Sequence, residues 1–333
     1  MEIATDTSTL DFEFYSNVKS KKVEWLWYPY IPYGKLTVLQ GDPGEGKSTF
    51  MLNLTSILSV GGVLPTGEAF SSPQNVIYQC AEDSPADTIK PRLIAAGADC
   101  SRIAFIKDTD NLLTLDDKRI EKTIKELNAR LFIIDPIQAY IPQDADMLNA
   151  TKMRGVLRQL ANVAEETKCA IVLVGHMNKN GSGKSLYRSL GSIDIVAIAR
   201  SVLMITRDEN DPFTRYVFPI KSSLAPEGEA IGFSIGTNKG FKWIGKCEID
   251  KEHYSEECSM PKTKKELAKK YLEEILCEGD CASNIIMNKL SELGIGERTV
   301  NKAKSEMNIK VYKSANGWYW HLQSLILTPN GDR

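Results

Sequence analysis

The chain has 333 residues, 42% of them hydrophobic and 25% charged, which are the proportions of a globular protein rather than a disordered or collagen-like one. A net charge of −2 excludes a chain that holds nucleic acid by its overall charge, although residues 261–331 carry 11 Lys+Arg against 8 Asp+Glu and keep a basic module open there. No uninterrupted apolar run approaches the roughly 20 residues that a membrane helix needs, and the 7 cysteines form no C-x-x-C pair, as expected of thiols in a reducing cytoplasm.

In chain order, the acidic, polar start MEIATDTSTLDFEFY carries no secretory pattern, and residues 1–24 read as an N-terminal arm. An aromatic cluster (Trp25, Trp27, Tyr28, Tyr30, Tyr33) ends in a turn at Pro32 and Gly34. Apolar, strand-like runs at 36–40, 76–80, 103–106, 131–135 and 170–175 then alternate with helical patterns at 49–58, 85–96, 116–128 and 151–167. That alternation predicts an α/β fold with βαβ units and a buried parallel sheet. After Arg200 the runs 202–206, 215–220, 230–235 and 241–244 are joined by turns too short for helices, which predicts an antiparallel extension. A polar stretch at 247–263 reads as a linker. Two amphipathic helices (265–276 and 283–293), a third from Gly296 and a hairpin around Asn316-Gly317 follow. Three helices and a hairpin is winged helix-turn-helix order. The expected units are 25–246, 264–323 and a tail at 324–333.

Between the first strand and the first helix runs Gly41-Asp42-Pro43-Gly44-Glu45-Gly46-Lys47-Ser48-Thr49, a complete G-x-x-x-x-G-K-S phosphate loop in its required context. Its glycines let backbone N–H groups cradle phosphate oxygens, Lys47 reaches the β- and γ-phosphates, and Ser48 offers a hydroxyl to Mg²⁺. The string LFIID is a hydrophobic strand ending in an acid, so Asp135 is expected beside the loop, holding the metal. A guanine-selective N-K-x-D is absent, since Asn178-Lys179 is followed by Asn180 and Gly181; adenine is the better match, and ATP with Mg²⁺ is the expected ligand pair. Glu82, with Asp83 as competitor, lies just beyond the second strand and is placed next to the loop strand to deprotonate an attacking water. His176 ends the strand AIVLVGH, where it can sense the γ-phosphate. The following Gly/Ser-rich segment imitates a second phosphate loop, but Asn178 stands where the first glycine belongs; its Lys179, Lys184 and Arg188 read better as contacts to DNA backbone.

GDPGEGKST, the acid of CAEDS, LFIIDP, and GHMNK followed by SLGSIDIVAIARSVLMI together resemble the RecA-like ATPases, and within them the plasmid RepA-type hexameric replicative helicases and their phage relatives. The resemblance covers roughly residues 30–245. It implies a homo-hexameric ring with ATP held between neighbouring subunits. Single-stranded DNA in the ring channel is the expected partner, a primase or polymerase is a candidate one that the sequence does not identify, and no membrane partner is expected from the apolar runs. It also implies an arginine finger supplied by the neighbouring subunit, and Arg200 occupies the matching position. Helicases of the related DnaB group carry K-x-R after the next strand; here IKSSLAP keeps Lys221 but has Ser223 for the arginine, which leaves Arg200 or Arg207 for that task. The C-terminal part resembles winged helices appended to replication ATPases. That likeness places Arg298, Thr299, Lys302 and Lys304 on a DNA-facing helix, with Lys310, Lys313 and Trp318 near the wing. A filament-forming recombination ATPase and a slow, ATP-gated DNA-binding regulator are the alternative functions.

Overall fold

The computed structural model describes residues 12–108, 112–142, 150–176, 193–236, 240–250, 264–277, 279–292, 295–314 and 317–322. Lys179, Lys184 and Arg188, most of the expected linker and the tail lie outside the described residues. A short aromatic hairpin, β1 (Trp25–Trp27) and β2 (Ile31–Pro32), leads into β3 (Leu36–Gly41). Then come α1 (Lys47–Val60), β4 (Val76–Cys80), α2 (Lys90–Ala95), β5 (Ile103–Ala104), α3 (Lys118–Leu127), β6 (Leu131–Asp135), α4 (Ala150–Thr167), β7 (Ala170–His176), α5 (Ile193–Ile198) and β8 (Ser201–Arg207). A meander of β9 (Thr214–Ser222), β10 (Ala230–Gly236) and β11 (Gly240–Cys247) closes this part.

Among the described residues these strands form one 9-stranded sheet in the order β11-β10-β9-β8-β3-β7-β6-β4-β5, parallel from β8 to β5 and antiparallel from β8 to β11. The parallel strands are buried on both faces because helices cover both. β3 and β6 are buried at every position. Their period of two divides the side chains between two cores. Val38, Phe132, Ile134, Ile171 and Leu173 meet Ile124 of α3, Leu157 of α4 and Ile195 of α5. Leu39, Leu131, Ile133, Val172 and Val174 meet Phe50, Leu54 and Leu58 of α1 and Leu93 of α2. Each such fully buried aliphatic or aromatic side chain contributes about 1.5–3 kcal/mol of transfer free energy.

The aromatic cluster caps the second core. Trp27 lies 6.1 Å from Phe50 and 6.2 Å from Trp243 between ring centroids, and its indole N–H donates to Thr66 at 2.8 Å. Tyr30 is tied at both ends, its hydroxyl to the Glu229 carbonyl at 2.9 Å and its own carbonyl to the Ser201 hydroxyl at 2.6 Å. The N-terminal hairpin is thereby fixed to both β8 and the start of β10.

One expected helix starts differently. Residues Pro85–Ile89 form a π-helical turn, and α2 begins only at Lys90. Pro91 has no N–H to give to the Asp87 carbonyl, so a regular ladder cannot run through this stretch.

The C-terminal residues form α6 (Lys264–Cys277), β12 (Cys281–Ala282), α7 (Ser283–Glu292), α8 (Glu297–Glu306), β13 (Lys310–Ser314) and β14 (Gly317–His321). The strands pair antiparallel in the order β12-β14-β13. Ala268, Leu272, Ile286, Leu290, Val300 and Trp320 make a separate core.

Candidate nucleotide site

The phosphate loop hangs from the carboxyl end of β3, and each glycine in it answers a different steric demand. A Cβ on Gly41 would lie 2.5 Å from the carbonyl oxygen of Ile205 on β8. Gly44 and Gly46 have φ of +85° and +88°, the left-handed region that L side chains avoid. A Cβ on Gly44 would meet nothing within 4 Å, so the loop is open there, whereas one on Gly46 would lie 2.5 Å from Ile235 Cδ1. Gly46 also caps α1, its carbonyl accepting from the N–H of Phe50 at 2.8 Å. The loop thus stays open to an anion at the positive end of a 14-residue helix, although the Glu45 N–H is turned back to the Asp42 carbonyl at 3.2 Å.

Lys47 is only 3% exposed. Its Nζ donates to the carbonyls of Gly41 at 2.7 Å and Asp42 at 2.9 Å. Burial lowers its pKa, and the carboxylates of Asp135, Asp42, Glu45 and Glu82, in that order, pull it back up. A buried ammonium surrounded by carboxylates and held by weak neutral acceptors is set up to bind a stronger anion. Ser48 and Thr49 follow in the first turn, and the Thr49 carbonyl is used within the helix by Asn53.

Asp135, 2% exposed, ends β6. The Tyr78 hydroxyl donates to its Oδ2 at 2.8 Å, and the Ser48 hydroxyl acts on the phenol from the side of the loop. Burial first, and then the Asp135 charge, push the Tyr78 hydroxyl well above its ordinary range, so it stays a donor. Tyr78 is therefore bonded to Asp135 and stands under the influence of Ser48 at the loop. Tyr78 was missed by reasoning from the sequence; the signal was a lone phenol in the buried run VIYQC. This donor set fits a divalent cation and a triphosphate: a hydroxyl, a buried carboxylate, and an open cradle beside a buried ammonium. In strand register His176 is the partner of Gly41, which puts the end of β7 between the loop and Asp135; its side chain lies outside the described residues.

Glu82 is not beside the loop strand, as the sequence reading had it. Two strands, β7 and β6, separate β4 from β3. Glu82 is exposed just beyond β4, and its charge still acts on Lys47. Asp83 instead accepts Arg92 Nη1 at 2.9 Å.

The basic residues separate into two ends of the sheet. Arg200 is exposed at the amino end of β8, with its backbone bonded to Leu36 and Ser223. Lys221 is committed nearby, its Nζ donating to the carbonyls of Val196 at 2.8 Å, Ala197 at 3.0 Å and Ala199 at 2.8 Å. It answers the C-terminal dipole of α5. Arg207, weighed above as a charge for a neighbouring subunit, lies instead against its own loop. Its Nη2 is 3.2 Å from the Gly44 carbonyl and 3.5 Å from Glu45 Oε1. Arg215 faces it from β9 and had no sequence signal.

In the C-terminal part, Arg298, Thr299 and Lys302 of α8 line a cavity of ≈ 450 Å³ together with Lys264 and Lys265 of α6. Lys304 is not with them: its Nζ lies 4.7 Å above the Trp320 ring.

A mostly parallel sheet with a phosphate loop after one inner strand and a buried strand-end aspartate close by defines a RecA-like P-loop fold. Residues 4–182, more than half of the chain, match the family model described as AAA domain, and the chain belongs to that family. It is similar to the DNA repair protein RadA of Mycobacterium tuberculosis (strain ATCC 25618 / H37Rv), 29% identical over 153 residues that cover 45% of this chain and 28% of the relative. RadA of Chlamydia muridarum (strain MoPn / Nigg) is 27% identical over 207 residues, 62% of this chain and 40% of the relative. The chain thus spans well under two thirds of the length of these curated relatives. Among solved structures, a KaiC-like protein, PH0186 of Pyrococcus horikoshii OT3, aligns with a TM-score of 0.47 and 21% identity over 64% of this chain and 90% of that one.

Proposed function

We propose that this protein is a Mg²⁺-dependent ATPase that acts on DNA as a ring-forming replicative helicase or helicase-like motor of a phage, plasmid or integrated element. The observation that carries the reading is the buried, Tyr78-bonded carboxylate of Asp135 acting on buried Lys47 at the phosphate loop. In it the loop amides and Lys47 bind the phosphates, while Ser48 and Asp135 hold Mg²⁺. When bound, the metal withdraws charge from the phosphate oxygens. Glu82 orients and deprotonates the attacking water, a role for which Asp83 is less suited because Arg92 already occupies it. His176 links the end of β7 to the loop with Lys179, Lys184 and Arg188, which contacts single-stranded DNA in the ring channel.

The similarity to DNA repair proteins supports a DNA substrate. So does the basic cavity between α6 and α8, whose order of helices and strands suits a winged helix binding duplex phosphates. One observation favours a second reading, a slow ATP-gated regulator. Ser223 replaces the arginine of K-x-R, and Lys221 is spent on capping α5.

Steady-state ATP hydrolysis, measured with and without single-stranded DNA, tests the choice. A motor gives turnover that DNA stimulates and that Glu82→Gln and Arg200→Ala each abolish. An arginine finger supplies about 10³- to 10⁵-fold in rate where it operates. Tight ATP binding with negligible turnover, DNA or not, rejects the autonomous motor and leaves the regulator.

A further inference from the structure

β8 and β9 set Arg207 and Arg215 directly opposite each other in register, at the sheet edge that carries the phosphate loop. Like charges in a directly opposed pair repel. Here the repulsion is aggravated by burial, since Arg215 is only 7% exposed. Its Nη1 donates to the carbonyls of Pro212 at 3.3 Å and Phe213 at 2.8 Å. Its Nε, the Nε of Arg207 and the Oε2 of Glu45 are all buried without a hydrogen-bond partner. A Cβ placed on Gly46 would stand 3.6 Å from that Arg215 Nε, so the guanidinium lies alongside the loop.

The carboxylates that act on Arg215 are Glu45 and Asp211. Asp211 is already engaged by the Phe213 N–H at 3.0 Å and the Thr214 hydroxyl at 2.7 Å. Glu45 therefore carries most of the burden of neutralising two guanidinium groups, and it does so at 3.5 Å from Arg207 rather than in a close bidentate pair. An arrangement that sets a buried guanidinium against a half-exposed one, with a single loosely held carboxylate between them, is costly as pure architecture. It becomes favourable once a polyanion enters the loop.

We propose that Arg207 and Arg215 are a phosphate clamp acting within the same chain, and that Glu45 is its internal placeholder. The phosphate chain of a nucleotide displaces the Glu45 carboxylate as their counter-ion. This rests on the reading that the loop holds a nucleoside triphosphate, and it assigns that site two ligands from the antiparallel extension of the sheet.

Equilibrium titration of the full chain with ATP and with ADP, each with Mg²⁺, tests it. The variants are Arg207→Gln, Arg215→Lys, Glu45→Gln and the double change Glu45→Gln/Arg207→Gln, with Lys47→Ala beside them. Arg207 is partly exposed, so its variant is expected to fold, and Arg215→Lys keeps the buried charge should a neutral side chain fail there. Arg207→Gln is expected to weaken ATP about tenfold, the loss of one charge-assisted contact. Arg215→Lys weakens it less. Glu45→Gln tightens ATP several-fold in the wild-type background and by less in the Arg207→Gln background, where only Arg215 is left for Glu45 to hold. Equal tightening in both backgrounds overturns the placeholder, because Glu45 would then act by plain repulsion of the ligand. Unchanged affinity in Arg207→Gln, with binding lost in Lys47→Ala, overturns the clamp alone. Unchanged affinity in Lys47→Ala overturns both the clamp and the phosphate-loop reading beneath it.

Discussion

Tyr78 donates its phenol hydroxyl to the buried carboxylate of Asp135, and the removal of that hydroxyl gives a direct reading of the site. Tyr78→Phe keeps the ring in the core and deletes only the donor. Asp135 is then left buried with one partner fewer, at a cost of about 1–3 kcal/mol. The expected outcome is a lower denaturation midpoint together with a higher Mg²⁺ requirement for ATP binding. A variant with both values unchanged would place Tyr78 outside the site. At this scale the sequence was informative only where the motif is contiguous. Gly41 to Thr49 could be assigned position by position, because a strand, a loop and a helix must follow one another there. Tyr78 comes to Asp135 from β4, and Arg207 and Arg215 come to the loop from β8 and β9, and no spacing along the chain encodes those meetings.

The elements show how cations with similar sequence signals acquire different duties. Lys221 keeps the lysine of the K-x-R pattern, yet the carbonyls of Val196 and Ala197 in α5 and of Ala199 just after it hold it. Lys304 shares α8 with Lys302, but it covers the Trp320 ring while Lys302 lines the basic cavity. On α6, Lys265 and Lys269 grip the Glu306 carboxylate of α8 at 2.9 and 2.7 Å. Those hydrogen bonds, Lys269 first and then Lys265, hold the carboxyl at about 2 against its ordinary 4.5. Because the folded value is the lower one, the stabilisation is complete above pH 4.5 and is lost as the pH falls towards 2. Acid titration followed by tryptophan fluorescence is expected to show the α6–α8 contact loosening in that window. Glu306→Gln removes this acid-dependent component, and high salt weakens it because the pair is exposed. A titration of the variant that overlays the wild type would mean that the pair adds nothing to the contact.

For the whole molecule the decisive fact is polarity. Arg200 opens β8 and Arg207 ends it, and at about 3.3 Å per residue the two stand roughly 20 Å apart on opposite edges of the sheet. Arg200 therefore has no route to the phosphate loop of its own chain, and the finger proposed for it requires a second copy. Mixing Lys47→Ala with Arg200→Ala protein is expected to restore hydrolysis that neither has alone, since a mixed interface joins an intact loop to an intact arginine. No recovery on mixing, with both variants assembled, would remove Arg200 from catalysis. The α/β class, the strand–loop–helix at Gly41–Thr49, the buried acid at Asp135 and the antiparallel turn after Arg200 were all determined by the sequence alone, because periodicity and local backbone chemistry act between near neighbours. Strand order was not. Glu82 looked adjacent to the loop because its strand comes next in the chain, while the fold inserts β6 and β7 between them. Which arginine lies at the loop end of β8 and which at the far end, and which lysine is consumed by a helix end, were decided only by the tertiary structure. Those assignments depend on the register and direction of strands far apart in sequence, set by how two cores are filled at once rather than by any local preference.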